Sequence, residues 1–429
     1  MSAIDFACAF GTYLESGKVV LARDTRRTGE RLKSSVLSGL LSTGIDVYDL
    51  GILPTPVMQH AITQLGAQGG VSISGTTVGA EWKALKFFDA DGAPLNSYKD
   101  EELVDIFYNG SFSSQPWNQL GKILRDNTAR DSYAAALKEF LDVDAIRERH
   151  FKIVLDCCNG TASQFADRLF TELGCEVLAI NNEPSPDAVY HPLPEAKNTQ
   201  AVCQIVRPIQ ADVGFYLNLD ATGLVVISEQ GQSLGEEYTF ALLTDYILSE
   251  NPGRGIVTNV STSSLIDDLT ARYKANLTRT RIGQKYIIER IRSIAGVFAG
   301  EGSGGAVFPD FLYGFDGIAS MGIILQMLAK RQTTISDIVA SFPQYAIEKN
   351  FIRCPVHLFH TVLRRISEIF SDHALDLTDG VKISFDSGWL HIRPSRNEPI
   401  IRVIAESRNA EDAENLLQSG KTEVRKAML

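Results

Sequence analysis

Apolar residues occur along this chain as short continuous runs that alternate with stripes of helical spacing. Residues 19–22 form a run of the kind found in buried strands. The residues that follow place apolar side chains on one face of a helix: Leu32, Val36, Leu37, Leu40 and Leu41. Gly44 can close that helix, and strands near Val47 and at 71–73 continue the alternation. This order of elements predicts a doubly wound α/β unit.

The same alternation starts again at two later points. One is the run 152–156, which is followed by a helix up to residue 173 and a strand at 176–180. The other is the run 256–260, which is followed by a helix and a strand around Leu277. With the first unit this makes three starts at similar spacing, which predicts three related α/β domains rather than one long sheet.

The pattern changes from about residue 350. Apolar runs at 381–383 and 389–392 lie on either side of the turn residues Ser387 and Gly388, which predicts a hairpin, and an amphipathic helix over 410–427 ends the chain. We therefore predict an α/β fold of three related doubly wound domains and a C-terminal α+β domain, arranged around a central cleft. The predicted domain boundaries are 1–140, 150–248, 253–345 and 350–429.

Composition and charge exclude several classes of protein. The 429 residues are 44% apolar and 22% charged, as in a globular protein with ample core. A formal charge of −11 argues against a nucleic-acid or membrane-surface partner, because both favour a basic face. No apolar run approaches the length of a membrane span, and the first residues lack the form of a signal peptide, so we expect a cytoplasmic location.

Ligands of open α/β sheets gather beyond the carboxyl ends of the strands, so the loops that follow strands are the places to look for chemistry. The loop 23–29 opens a helix, where guanidinium groups and free backbone N–H groups can hold a phosphate. A solvated basic helix start is the other interpretation. The loop 74–86 carries small hydroxyl residues and glycines, which suit an exposed nucleophile or an ordinary turn.

Two further loops combine acidic and small residues. The stretch 216–223 contains one carboxylate, Asp220, whereas a magnesium site wants two or three clustered carboxylates. In the stretch 300–305, glycines let the backbone approach a ligand closely, and Glu301 can accept hydrogen bonds from two sugar hydroxyls. A bare glycine-rich turn is the alternative for this second stretch.

The loop 393–399 lies between two apolar runs near the C-terminus, with Arg402 on the strand beyond it. Three arginines together with Ser395 and Asn397 offer many convergent donors, which favours a phosphate site over a charged surface hairpin. We expect Arg393 to be a partly exposed loop side chain that contributes little to folding.

Taken together and in this order, these loops resemble those of the α-D-phosphohexomutase superfamily, which includes phosphoglucomutase, phosphomannomutase and phosphoglucosamine mutase. The resemblance covers essentially the whole chain and is carried by 22–26, 51–56, 300–301 with 316–317, and 378–382 running into 393–395. It implies an enzyme whose phosphoserine hands its phosphate to a sugar and takes the other phosphate back from the resulting bisphosphate.

The nucleophile loop departs from the family's pattern. By alignment through 69–70 and Lys86, Thr76 stands at the position of the serine, and its extra methyl group stiffens the side chain and crowds an in-line attack. Lys86 matches the family's lysine, the candidate general base. The N-terminal stretch 11–17 lacks the family's active-site arginine.

The magnesium loop of the family, Asp-Gly-Asp-Ala-Asp-Arg, falls on 218–223 of this chain. Asp220 keeps its carboxylate, while Asn218 and Thr222 stand where the other two carboxylates should be. The resemblance therefore implies Mg²⁺ as a cofactor at a degraded site, and we expect the metal to bind weakly.

The resemblance also assigns roles to single residues. The candidate catalytic residues are Thr76, Lys86 and Arg23, and the candidate substrate-binding residues are Glu301, Ser303, Arg393, Ser395, Arg396, Asn397 and Arg402. The predicted sugar loop, 300–305, and the predicted phosphate loop, 393–399, keep the residue types that the family uses. The nucleophile loop and the magnesium loop do not.

Three hypotheses for function remain open. The leading one is a diverged mutase that binds a phosphorylated sugar with weak or absent turnover, and that regulates, scaffolds, forms a homo-oligomer or pairs with an active paralogue. The second is a working intramolecular phosphotransferase that uses Thr76 or another group, with Asp220 and the substrate phosphate holding the metal. The third is a different reaction on a phosphorylated sugar or nucleoside, with Lys86 or Glu301 as acid or base.

Overall fold

The computed structural model describes residues 3–75, 83–186, 196–395 and 398–429. Its strands form four separate sheets, which we use to number domains I to IV in chain order. The first three are α/β and the last is α+β, as predicted from the sequence. Among the described residues, no helix is both long and apolar enough to cross a membrane.

Domain I carries the first sheet. Its elements are α1 (Ala3–Leu14), β1 (Lys18–Arg23), α2 (Arg27–Ser42), β2 (Asp46–Ile52), α3 (Thr55–Gln64), β3 (Gly69–Gly75), β4 (Lys83–Asp89), α4 (Ser97–Asn109) and β5 (Ile123–Leu124). The predicted stop of α2 is confirmed, because Gly44 follows the helix with a φ of +87° that favours glycine.

Domains II and III repeat this arrangement. Domain II consists of α5 (Ala129–Phe140), α6 (Val143–Arg149), β6 (Lys152–Asp156), α7 (Ala166–Glu172), β7 (Glu176–Ile180), α8 (Ala196–Val206), β8 (Val213–Leu217) and β9 (Leu224–Ile227). Domain III consists of α9 (Gly235–Glu250), β10 (Gly255–Asn259), α10 (Leu265–Arg272), β11 (Asn276–Thr280), α11 (Gln284–Ser293), β12 (Phe298–Glu301), β13 (Gly305–Val307), α12 (Gly317–Arg331) and α13 (Ile335–Ala340).

The three sheets share one topology. In each sheet the first strand lies between the second and the third, and these three strands run parallel. The fourth strand pairs antiparallel with the third. The resulting orders are β2-β1-β3-β4, β7-β6-β8-β9 and β11-β10-β12-β13. The restarts of the sequence pattern therefore correspond to three copies of one supersecondary unit. Parallel strands end at the same edge of a sheet, so each copy presents its loops on one side.

Domain IV is built differently. It contains β14 (Ala346–Arg353), a 3-10 turn (Val356–Leu358), α14 (Phe359–Ile369), β15 (Ala374–Asp376), β16 (Val381–Phe385), β17 (Gly388–Pro394), β18 (Ile400–Ser407) and α15 (Ala410–Ala427). Its strands form one antiparallel sheet in the order β14-β18-β17-β16-β15. The predicted hairpin is β16–β17, and the predicted C-terminal helix is α15.

The apolar cores show which domains form one body. A single cluster joins residues such as Val57 of domain I, Phe215 of domain II and Phe298 of domain III. Domain IV has a cluster of its own, which includes Val362 and Leu390. Domains I to III thus share a core that fixes their loops relative to one another, while domain IV docks on them.

Candidate functional site

A cavity of about 250 Å³ lies where loops from domains I, II and III meet. Five residues predicted from the sequence line it: Lys86, Asn218, Thr222, Glu301 and Ser303. They come from three different domains, and the first and the last of them are more than 200 residues apart along the chain. The shared core brings Lys86, the predicted magnesium loop (218–223) and the predicted sugar loop (300–305) to one place.

The loop 218–223, here called the Asp220 loop, is held firmly by backbone hydrogen bonds. Its own turn is closed by Gly223 N–H, which donates to Asn218 Oδ1 at 3.0 Å. Thr55 N–H of domain I donates to Asp220 O at 3.0 Å, and Gly317 N–H of domain III donates to Ala221 O at 2.9 Å. The loop is therefore fixed by two neighbouring domains as well as by its own strands.

The carboxylate of Asp220 is buried and fully engaged. Lys86 Nζ lies 2.7 Å from Oδ2, and the Thr222 hydroxyl donates to Oδ1 at 2.7 Å. The hydroxyl of Ser74, at the end of β3, hydrogen-bonds the same carboxylate. Burial alone would raise the pKa of Asp220, but the Lys86 charge and these hydrogen bonds outweigh it and lower the pKa.

The stretch 300–305, the predicted sugar loop, carries a second carboxylate, Glu301, which is half-buried. Glu301 Oε1 accepts a hydrogen bond from the Ser303 hydroxyl at 2.5 Å, and Oε2 accepts one from Asn259 Nδ2 at 3.0 Å. Burial raises the pKa of Glu301, although these donors and the charge of Lys349 act in the opposite direction. Glycine is required at 302, because a Cβ there would lie 2.1 Å from both carboxylate oxygens of Glu237.

Sequence reasoning missed the acidic residues at the start of α9. Glu236 lines the cavity, and burial raises its pKa to about 7, with Glu237 and Glu301 adding to the rise and Lys349 opposing it. Glu237 pairs with Lys349 Nζ at 2.9 Å, and Lys349 lies on the first strand of domain IV. Acidic residues in a first helical turn are an ordinary helix-start signal, so only packing reveals their position at the cavity.

The described part of the C-terminal phosphate loop does not line this cavity. Arg393 lies on β17, is buried, and places Nε 3.8 Å from Asp379 Oδ2. Our expectation of a partly exposed loop arginine is therefore wrong, because β17 extends further than the polar sequence suggested. Ser395 N–H donates to Ile400 O at 2.9 Å, and Arg402 pairs with Glu398 at 3.1 Å.

Of the predicted catalytic residues that the structure describes, Arg23 is not brought into the cavity wall. Arg23 lines a different pocket of about 370 Å³ with Arg27 and Arg31, and it is ion-paired with Glu30. Thr76, Arg396 and Asn397 lie outside the described residues, so their predicted roles stay predictions.

Models of four domains of one family match consecutive parts of the chain. They are described as the phosphoglucomutase/phosphomannomutase alpha/beta/alpha domains I, II and III, over 2–114, 131–231 and 235–345, and the C-terminal domain, over 356–419. Together they cover most of the sequence. The chain belongs to the phosphoglucomutase/phosphomannomutase family.

Individual relatives in this family align over nearly full length. A protein of Thermococcus kodakarensis named phosphoglucomutase/phosphomannomutase is 34% identical over 97% of this chain and 93% of its own. Another protein from that organism, named probable phosphoglucosamine mutase, is 34% identical over 99% of this chain and 94% of its own length. The solved structure of a family protein from Burkholderia thailandensis, 24% identical, superposes with a TM-score of 0.85 over 99% of this chain and 93% of that one, which concerns the fold alone.

The magnesium ion implied by the phosphoglucomutase/phosphomannomutase family does not fit the residues present. A hard cation needs several free oxygen ligands. Both oxygens of Asp220 are taken, Asn218 Nδ2 donates to Thr222 Oγ1 at 3.1 Å, and the nearest charge is an ammonium. Across the described residues, no group of three or more acidic, histidine or cysteine side chains is placed to hold a metal.

Proposed function

We propose that this family member binds a phosphorylated sugar in the cavity and that ordinary magnesium-dependent phosphosugar mutase turnover is weak or lost. The observation that carries the proposal is the ion pair of Lys86 with Asp220, which occupies the carboxylate that a metal needs. Without a metal, negative charge that builds on a transferring phosphoryl group loses its main stabiliser.

The wall of the cavity supports the binding part of the proposal. Glu301 and Ser303 offer acceptors and a hydroxyl for a sugar ring, and Lys86 offers a cation for a phosphate. The acceptor role of Glu301 needs its ionised form, and its raised pKa means that sugar binding should weaken as the pH falls. In this proposal Arg393, Ser395 and Arg402, with Arg396 and Asn397, hold the non-transferring phosphate.

The names of the relatives favour a second candidate, an active intramolecular phosphotransferase. In that case Thr76 would carry the phosphoryl group, and Lys86 would act in proton transfer. Intact mass after incubation with glucose 1,6-bisphosphate separates the two candidates. A gain of one phosphoryl group that maps to Thr76 would support the active enzyme.

The decisive assay is conversion of glucose 1-phosphate, mannose 1-phosphate or glucosamine 1-phosphate to the 6-phosphate, with MgCl₂ and a bisphosphate activator. We expect little or no conversion by the unmodified protein, while the same hexose phosphates raise its melting temperature and the free hexoses do not. Robust conversion would show that the transfer apparatus works as it stands.

Restoring the lost residues tests why turnover is weak. Thr76→Ser alone should not produce robust mutase activity, because nucleophile and metal act as one unit and their effects are not additive. Adding Asn218→Asp and Thr222→Asp should raise activity further, since three carboxylates can hold Mg²⁺. High activity from Thr76→Ser alone would contradict the idea that the Asp220 loop limits turnover.

A further inference from the structure

The Lys86 ammonium connects the buried Asp220 carboxylate to the cavity. Its side chain is 34% exposed and lines the cavity, while Nζ contacts Asp220 Oδ2 at 2.7 Å. Within the described chain, Asp220 is the only hydrogen-bond partner that the ammonium has. An ammonium has three N–H donors, so two of them are available to a ligand in the cavity.

The charges of the Asp220 loop agree with the use of a built-in cation. Three carboxylates around a doubly charged ion, the arrangement implied by the family, leave one net negative charge, which the arginine at the end of the family's loop balances. Asn218, Thr222 and Gly223 are neutral, so this loop carries the single negative charge of Asp220 without a loop arginine to balance it. The Lys86 ammonium then neutralises that remaining charge at hydrogen-bond distance.

The fixed position of Lys86 suits it to this task. It lies on the edge strand β4, where it pairs with Ser72 on β3, and its ammonium is held by the Asp220 loop, which domains I and III anchor. A cation held in place before the ligand arrives loses little conformational entropy on binding. A divalent ion would have to displace this ammonium and shed its own water to reach Asp220.

We infer that Lys86, held by Asp220, is the cation of this cleft and binds the phosphate monoester of the ligand directly, in place of a divalent ion. The inference rests on the proposed binding of a phosphorylated sugar and goes beyond it, because it makes that binding independent of metal. Lys86 would then be a binding residue rather than a base.

The test measures binding of glucose 1-phosphate and glucose 6-phosphate by calorimetry, in EDTA and in MgCl₂. We expect the unmodified protein to bind with the same affinity in both buffers. Lys86→Met should weaken binding by about tenfold or more, as expected for loss of a charge-assisted contact, and Lys86→Arg should recover most of it. Lys99→Met is the matched control, because Lys99 forms a similarly exposed ion pair with Asp89 outside the cavity.

A second arm uses Mn²⁺ alone and needs no sugar. The electron paramagnetic resonance signal of free Mn²⁺ should be unchanged by the unmodified protein. A triple variant should reduce the signal of free Mn²⁺, because it lacks the ammonium and offers three carboxylates. It combines Lys86→Met, Asn218→Asp and Thr222→Asp. Circular dichroism confirms that each variant is folded.

The outcomes separate this inference from the proposed function. Binding that appears only with MgCl₂, Mn²⁺ capture by the unmodified protein, or full affinity in Lys86→Met would each overturn the role of Lys86 while leaving sugar binding intact. Absence of hexose phosphate binding in both buffers would overturn the proposed function and this inference with it.

Discussion

Glu236 is a carboxylic acid whose chemistry depends on where it lies rather than on its own sequence neighbours. It faces the cavity close to Glu237 and Glu301, and burial is the main reason that its pKa rises to about 7. Three carboxylates share the single ammonium of Lys349 in this region. The folded protein therefore holds a proton on Glu236 under conditions in which the unfolded chain does not.

This proton predicts how stability changes with pH. A carboxyl whose pKa is raised on folding stabilises the folded state at low pH, and that contribution is lost as the pH rises through about 7. Glu236→Gln should remove this loss, so the variant should gain about 1–3 kcal/mol relative to the unmodified protein between pH 5 and pH 8. Urea unfolding at several pH values measures the difference.

A matched control lies on the same helix. Glu250 is exposed at the other end of α9, so Glu250→Gln should leave the pH dependence unchanged. If the free energy of unfolding changes equally with pH in Glu236→Gln and in the unmodified protein, Glu236 is ionised in the folded state despite its burial.

At the scale of elements, the start of α12 supports the Asp220 loop. Asp316 is buried and caps this helix, with Oδ1 accepting from Ile318 N–H at 3.0 Å and Ala319 N–H at 2.9 Å. Its other oxygen accepts from the buried Tyr133 hydroxyl at 2.7 Å. Gly317, the next residue, donates to Ala221 O, so the helix start positions the loop that holds Asp220.

We expect Asp316→Ala to lower the free energy of unfolding by about 3 kcal/mol, because it removes a cap and leaves a buried tyrosine hydroxyl without a partner. Thr334→Ala, which removes the exposed cap of α13, should cost only about 1 kcal/mol. Chemical denaturation of both variants checks the ranking. If Asp316→Ala lowers the free energy of unfolding no more than Thr334→Ala does, α12 is held by its apolar packing alone.

Gly317 adds a geometric requirement at the same point. A Cβ on this residue would lie 2.8 Å from Leu217 Cδ2 and 3.0 Å from Ala221 O. The helix can therefore approach the Asp220 loop only with glycine at its first position.

At the scale of the whole molecule, domain IV is attached through polar contacts. Trp389 Nε1 donates to Ser264 Oγ at 3.1 Å, Ser264 N–H donates to Glu406 Oε1 at 2.9 Å, and Lys382 Nζ donates to Val260 O at 2.8 Å. Because domain IV has its own apolar core, these contacts decide how it sits on domain III.

His391 lies at the centre of this interface and is completely buried. A carbonyl can only accept, so Nε2 donates to Asp379 O at 2.5 Å, and in the neutral ring Nδ1 accepts from the Ser261 hydroxyl at 2.7 Å. Burial lowers the pKa of His391 to about 4, with the charges of Lys382 and Arg393 contributing and Asp379 opposing.

This neutral ring predicts that docking of domain IV weakens in acid. A histidine whose pKa is lowered on folding stabilises the folded state above pH 6.5, and the contribution is lost as the pH falls toward 4. The loss should reach about 3 kcal/mol. Small-angle scattering should show an increased radius of gyration near pH 4 in the unmodified protein and a smaller increase in His391→Gln, which keeps a donor and an acceptor.

The exposed His373 of the same domain provides the control, since His373→Gln should behave like the unmodified protein. An identical acid expansion in His391→Gln would assign the effect to other groups of the interface.

The amino-acid sequence by itself determined the fold class and the threefold repeat, and it singled out the loops in which we expect chemistry. These follow from local properties, because apolar spacing sets strands and helices, and glycines and polar residues after strands mark the ligand side of a sheet. Five of the residues that the sequence singled out line one cavity in the structure: Lys86, Asn218, Thr222, Glu301 and Ser303.

Only the tertiary structure decided which charges meet. The pairing of Lys86 with Asp220 joins residues 134 positions apart, and nothing local to either residue indicates it. The same holds for Glu236 at the cavity wall and for the burial of Arg393 on β17. Electrostatic interactions depend on distance and burial in space, and these are set by the packing of domains on one another rather than by spacing along the chain.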